Sequence, residues 1–184
     1  MTHQSFEPED IQKEIADRAW NDKSFIAFHG TSADIYGELM PPAQGAHENC
    51  ALGVHLTTQI SVASDYAGNH ARATGRWGSA YVYVVEVSRS GEIASCDSRD
   101  QYIHMKQSDI EDLKADHPDV SIICADDIGD DLVGAMIVLN PEDVRILGRI
   151  DLETAEYLET AEPWGWLPVT AHMQSDPEDE YEFF

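Results

Sequence analysis

Basic residues are what this sequence has least of. Eleven Lys and Arg stand against 35 Asp and Glu in 184 residues, a formal net charge of -24 with a pI near 4.3. A surface this negative repels phosphate backbones, which disfavours nucleic acid as a partner, and it disfavours docking on an anionic membrane. A salt-adapted or acid-rich host, an ordinary acidic cytosolic protein, and a chain with a basic partner all fit; mimicry of nucleic acid belongs to the last. Cysteine is scarce too. Cys50, Cys96 and Cys124 are widely spaced and form no CxxC pair, which excludes a disulfide framework and points to a reducing compartment. No run of 18 apolar residues occurs, so no membrane-spanning helix is expected. Residues 1–10 lack a basic and apolar leader, so no secretory signal is expected and the location reads as cytoplasmic. The absence of GxSxG, GxGxxG and GxxxxGK[ST] excludes a nucleophile elbow and the common phosphate loops. His47 and Cys50 have a ligand-like gap with His55 nearby, but no second pair completes a tetrahedral set. The aspartates of residues 126–131 lack calcium-loop spacing, so no metal is expected.

What is present suits one domain over residues 1–174 with an acidic tail at 175–184. Helical patterns are predicted at 8–20, 32–39, 58–67, 108–115 and 152–160. Ser32, Thr58 and Ser108 stand as caps, and Gly68 is placed to end the third helix. Strands are predicted at 25–28, 54–56, 80–87, 92–95, 120–124, 133–139 and 143–150, with AYVYVVEV the clearest of them. Residues 40–52 and 69–79 read as loops, and 126–131 as a turn. Trp164 and Trp166 are expected to pack back onto the core. The fold class is α+β.

Two short strands each deliver a histidine, His29 before Gly30-Thr31-Ser32 and His55 within Gly53-Val54-His55-Leu56, and a helix carrying Tyr66 follows. In order and spacing these segments resemble the ADP-ribosyltransferase superfamily, in its diphtheria-toxin-like and poly-ADP-ribose-polymerase-like branch. That family has a histidine–glycine pair ending its first core strand, then a G-hydrophobic-Y-hydrophobic strand, then a helix presenting an aromatic. Its acid lies near a strand that runs into D/N-P-x-x-V, matched by residues 134–144 (GAMIVLNPEDV). The resemblance covers roughly residues 25–147. It departs at two points: His55 replaces the usual tyrosine, and Ala135 falls where the glutamate would be. Asp130 and Asp131 are the nearest acids, and some phage enzymes of this type, anti-CRISPR ones among them, look as though they use an aspartate there.

The resemblance implies two small packed β-sheets with peripheral helices, and NAD as substrate. It implies transfer of one ADP-ribose to a protein acceptor with release of nicotinamide, as in a phage or bacterial effector. Cleaving the nicotinamide–ribose bond passes through an oxocarbenium-like state that a carboxylate stabilises. In family terms His29 binds the adenosine-side ribose, and Gly30, beside Thr31, grips the carboxamide through its backbone. Tyr66 stacks on nicotinamide, His55 lines its other side, and Asp131 or its rival Asp130 is the acid. Two alternatives stand beside this. A catalytically silent acidic binder would keep the fold and engage a basic partner. The paired histidines also resemble RNA 2′-phosphotransferases, for which only Arg72, Arg76 and Arg89 offer cationic charge near the site.

Overall fold

The computed structural model describes residues 23–41, 48–76, 79–125, 134–151 and 171–172. The helices expected at 8–20 and 152–160, Trp77, the 126–131 turn, Trp164, Trp166 and the acidic tail lie outside the described residues.

Alternation of β-branched and aromatic residues gives the strands their two faces. In chain order they are β1 (Ser24–Thr31), β2 (Val54–Thr57), β3 (Tyr81–Ser88), β4 (Glu92–Cys96), β5 (Val120–Ala125), β6 (Ala135–Val138), β7 (Val144–Asp151) and β8 (Ala171–His172). The helices are α1 (Ile60–Thr74), α2 (Arg99–Ile103) and α3 (Gln107–Asp116), with 3-10 turns at Glu48–Ala51 and Pro141–Asp143. The fold is α+β. Instead of two packed sheets, the strands form one mixed eight-stranded sheet in the order β7-β3-β1-β2-β6-β5-β4-β8. Its two halves meet at a single residue pair, Phe28 with Thr57. By contrast β1 and β3 pair over eight positions, from Ser24–Ser88 to Thr31–Tyr81. The central seam is the thinnest join in the sheet, and the candidate site lies along it.

Three apolar clusters hold the layers. On one face α1 packs Ile60 and Ala63 against Ile26, Phe28, Val82 and Val84. On that same side of the other half, Tyr102 of α2 and Ile110 and Leu113 of α3 cover Ile123, Ala135 and Ile137. The opposite face gathers Phe25, Ala27, Leu56, Tyr83, Val85 and Met136, with Leu39 folded down onto them. The parallel pairing of β4 with β5 follows from the crossover through α2 and α3.

Several sequence expectations are corrected. Residues 32–39 form no helix. The Ile35 N–H, which a capping Ser32 hydroxyl would accept at the start of a helix, is instead donated to the Tyr83 hydroxyl at 2.8 Å. Asp34 is held by Arg149 at 2.6 Å and by the Tyr36 hydroxyl at 2.6 Å. Arg149 in turn lies over the Tyr81 ring, 4.4 Å from its centroid. Side chains from two strands thus hold Asp34 and Ile35 in a non-helical path.

Helix α1 runs seven residues beyond its predicted end, from Ala67 to Thr74. Its buried face, Ile60, Ala63, Ser64, Ala67 and Ala71, continues straight past Gly68. The stop is Gly75, whose φ of 68° lets its N–H cap the carbonyls of Ala71 and Arg72. The loop predicted at 69–79 is therefore largely helix. Thr58 is not the cap: its N–H bonds to the Gly134 carbonyl at 3.0 Å, and Gln59 stands at the N-cap position. Helix α3 starts before Ser108, with the Asp109 carboxylate accepting the Lys106 N–H at 2.6 Å. Strand β1 extends beyond Phe28, so His29, Gly30 and Thr31 belong to a strand rather than a loop.

Candidate functional site at the seam of the sheet

Beyond the Phe28–Thr57 pair the ladder between β1 and β2 parts, and a side chain replaces the backbone. His29 Nδ1 lies 2.8 Å from the His55 carbonyl. A carbonyl only accepts, so Nδ1 carries the proton and Nε2 keeps its lone pair. Burial holds the His29 imidazole below its usual value of 6.5, and the neighbouring rings of His55 and His70 add to the effect against the opposing pull of the His55 carbonyl. At neutral pH the ring is uncharged. Among the described residues Nε2 has no hydrogen-bond partner. It can accept from a donor.

A lowered imidazole value has a definite sign in stability. The unfolded chain binds a proton near pH 6.5 that the folded chain refuses, so the contribution is complete above that pH. It falls as pH drops from 6.5 towards the lowered folded value. Urea midpoints measured between pH 8 and pH 5 should therefore fall more steeply in wild type than in His29→Asn, which has no imidazole there. Equal slopes in the two proteins would contradict this.

Strand alternation fixes where each ring stands. His29 pairs with Tyr83 and shares its face. His55 pairs with Ile137 and shares the opposite face. The two imidazoles reach the seam from opposite sides and meet through the His55 main chain. His55 Nε2 lies 3.0 Å from the Asn49 carbonyl, and the Tyr102 ring packs edge-on against it at 6.3 Å. Burial pushes the Tyr102 phenol well above 10, helped by Cys96 and by the nearby Tyr66.

The remaining expected residues divide. Tyr66 is not a core residue: it is 54% exposed, on the side of α1 away from the buried stripe. Gly30 has a packing reason to be glycine, because a Cβ there would lie 1.8 Å from the Ala63 carbonyl oxygen of α1. The close approach it permits is that of a helix backbone. Thr31 is buried, and its Oγ1 accepts the Ala33 N–H at 3.1 Å, closing the turn after β1. Asp130 and Asp131 lie outside the described residues, as does His47. Ala135, buried opposite Thr57, belongs to the cluster containing Tyr102. Two strand spacings separate it from β1, roughly 10 Å.

Of the three arginines, Arg89 is not at the seam. Its guanidinium sits 5.5 Å over Phe25, four residues along β1 from His29, or about 13 Å at a strand's rise. Arg72 and Arg76 are exposed at the end of α1. Among the described residues no three His, Cys, Asp or Glu side chains converge on a point that could hold a metal. None of the described helices is long and apolar enough to cross a membrane.

Three participants escaped the sequence reading. His70 became legible only once α1 was carried past Gly68; its Nδ1 accepts the Ser32 N–H at 3.1 Å and faces Ser32 Oγ at 2.9 Å. Tyr102 stands on α2, whose start is marked by Ser98-x-x-Gln101, a capping signature, with Ser98 Oγ accepting the Gln101 N–H at 3.1 Å. Asn49 sits in a proline-rich stretch with no periodicity to reveal it. Comparison of the chain with family models, curated proteins and solved structures finds no match to any of them.

Proposed function

We propose that the seam binds NAD and that the chain is a mono-ADP-ribosyltransferase, moving ADP-ribose to a protein acceptor and releasing nicotinamide. The observation carrying this reading is the His29 imidazole, neutral and tautomerically fixed, with Nε2 presented as an acceptor where β1 and β2 part. A sugar hydroxyl supplies the matching donor. Tyr66 is exposed on α1, which covers the sheet face opposite His29, and its ring face would serve for stacking a base or nicotinamide of a ligand that reaches both sides of the seam. A neutral acceptor at the seam, and the placement of Arg89 away from it, disfavour a phosphate-directed RNA 2′-phosphotransferase.

One observation favours a second reading, a fold that binds without turnover. Ala135 puts a methyl group where the family has its acid, and the surrounding space is packed with Tyr102, Cys96 and Ile137. Carboxylate chemistry must then come from elsewhere, with Asp131 and Asp130 the nearest acids in sequence. Incubating the protein with NAD labelled in the adenylate and with cell lysate separates the two readings. The transferase yields free nicotinamide and labelled protein bands. A silent binder of a basic partner yields neither product, and a chain without NAD affinity sinks the transferase.

A further inference from the structure

We propose that Asn49 is a positioning residue, whose main-chain carbonyl locks the His55 imidazole as the Nε2–H tautomer and fixes its orientation against the seam. This rests on the reading that His55 lines the NAD site. Asn49 is 3% exposed, within the 3-10 turn Glu48–Ala51. Its side-chain Nδ2 donates to the Tyr102 carbonyl at 2.7 Å, anchoring the turn to α2. Its own carbonyl accepts twice, from the Leu52 N–H at 3.1 Å and from His55 Nε2 at 3.0 Å. A carbonyl oxygen has two lone pairs and no proton, so both contacts are satisfied, and a neutral His55 must carry its proton on Nε2. The Tyr102 ring, edge-on at 6.3 Å and 73°, closes the remaining side.

The consequence is a pair of histidines held in opposite tautomers by two carbonyls in series. His29 is protonated at Nδ1 by the demand of His55 O, and His55 at Nε2 by the demand of Asn49 O. The side chain of Asn49 hydrogen-bonds to the Tyr102 carbonyl rather than to an imidazole. It acts by holding the turn that supplies the carbonyl, as an outer support holds a ligating histidine in other sites. No local signal in the sequence marks such a role.

Two-bond proton–nitrogen correlation spectra of the full chain at pH 8, above the ordinary imidazole value of about 6.5, distinguish a protonated ring nitrogen from a bare one. In wild type His55 should show a protonated Nε2 and His29 a protonated Nδ1. In Asn49→Ala, with its folding checked by circular dichroism, the His55 signals should move to the averaged position of two exchanging tautomers while those of His29 stay. Affinity for NAD, measured by calorimetry, should fall roughly tenfold, the worth of one hydrogen bond. Should that variant not fold, Asn49→Ser, which keeps a short donor facing the Tyr102 carbonyl, is measured the same way, with a partial shift expected. A bare Nε2 on wild-type His55, or an unchanged His55 in the folded variant, overturns the proposal. A locked His55 that is released in the variant, in a protein with no NAD affinity, supports the positioning and overturns the NAD reading alone.

Discussion

Gly30→Ala is expected to melt at least roughly 6–12 °C below wild type, a loss of about 3 kcal/mol or more. The added Cβ would stand 1.8 Å from Ala63 O and 2.9 Å from Ala67 N. Both are main-chain atoms of a helix, so no rotamer change relieves the contact; helix and strand must separate. Separation would open the cluster of Ile60, Ala63, Ile26 and Phe28 that fastens α1 to the sheet. Gly30 has no left-handed φ, so the penalty is one of space rather than of backbone conformation. Gly75→Ala makes a useful contrast: a Cβ there meets nothing within 4 Å, and only its φ of 68° is unfavourable, costing about 1 kcal/mol. A Gly30→Ala variant melting within about 2 °C of wild type would show that α1 does not lie as close to β1 as the structure has it.

How much of this could be read from the sequence depends on how local each cause was. Strand β3 announces itself, since Tyr81 to Val87 alternate branched and aromatic side chains that suit a covered sheet. The strand position of His55 was legible for the same reason, whereas His29 was expected just past the end of its strand and lies within it. Residues 32–39 misled because their spacing is helical, while the group that decides their conformation, the Tyr83 hydroxyl, lies 48 residues away. Gly68 misled in the other direction: helix propensity penalises it by about 1 kcal/mol, yet the buried stripe from Ile60 to Ala71 outweighs that. Gly30 was expected to grip a carboxamide through its backbone, and the structure adds a packing reason for glycine there, the close approach of a helix. Asn49 could not be found from pattern at all, because its part is played by a carbonyl. Strand β8, two residues pairing in parallel with Ala94 and Ser95, carries no local signature.

His29→Asn should separate the structural work of this histidine from its work on a ligand. The asparagine amide can place an N–H near the position of imidazole Nδ1 and so keep a donor on the His55 carbonyl, while nothing replaces the acceptor at Nε2. Stability should stay within about 1 kcal/mol of wild type. NAD-dependent nicotinamide release should fall roughly 100-fold or more, as for loss of a group that orients the reacting sugar. His29→Ala removes donor and acceptor together. It should lose the same activity and also about 1–3 kcal/mol, since the His55 carbonyl is then left unsatisfied at a part-buried position. The contrast between the variants decides the matter. Equal stability losses in both, with activity retained in His29→Asn, would make this histidine a sheet-closing residue and take the NAD proposal away with it. Equal activity losses with stability kept only in His29→Asn would place the ligand at Nε2, beside the one residue pair that joins β1 to β2.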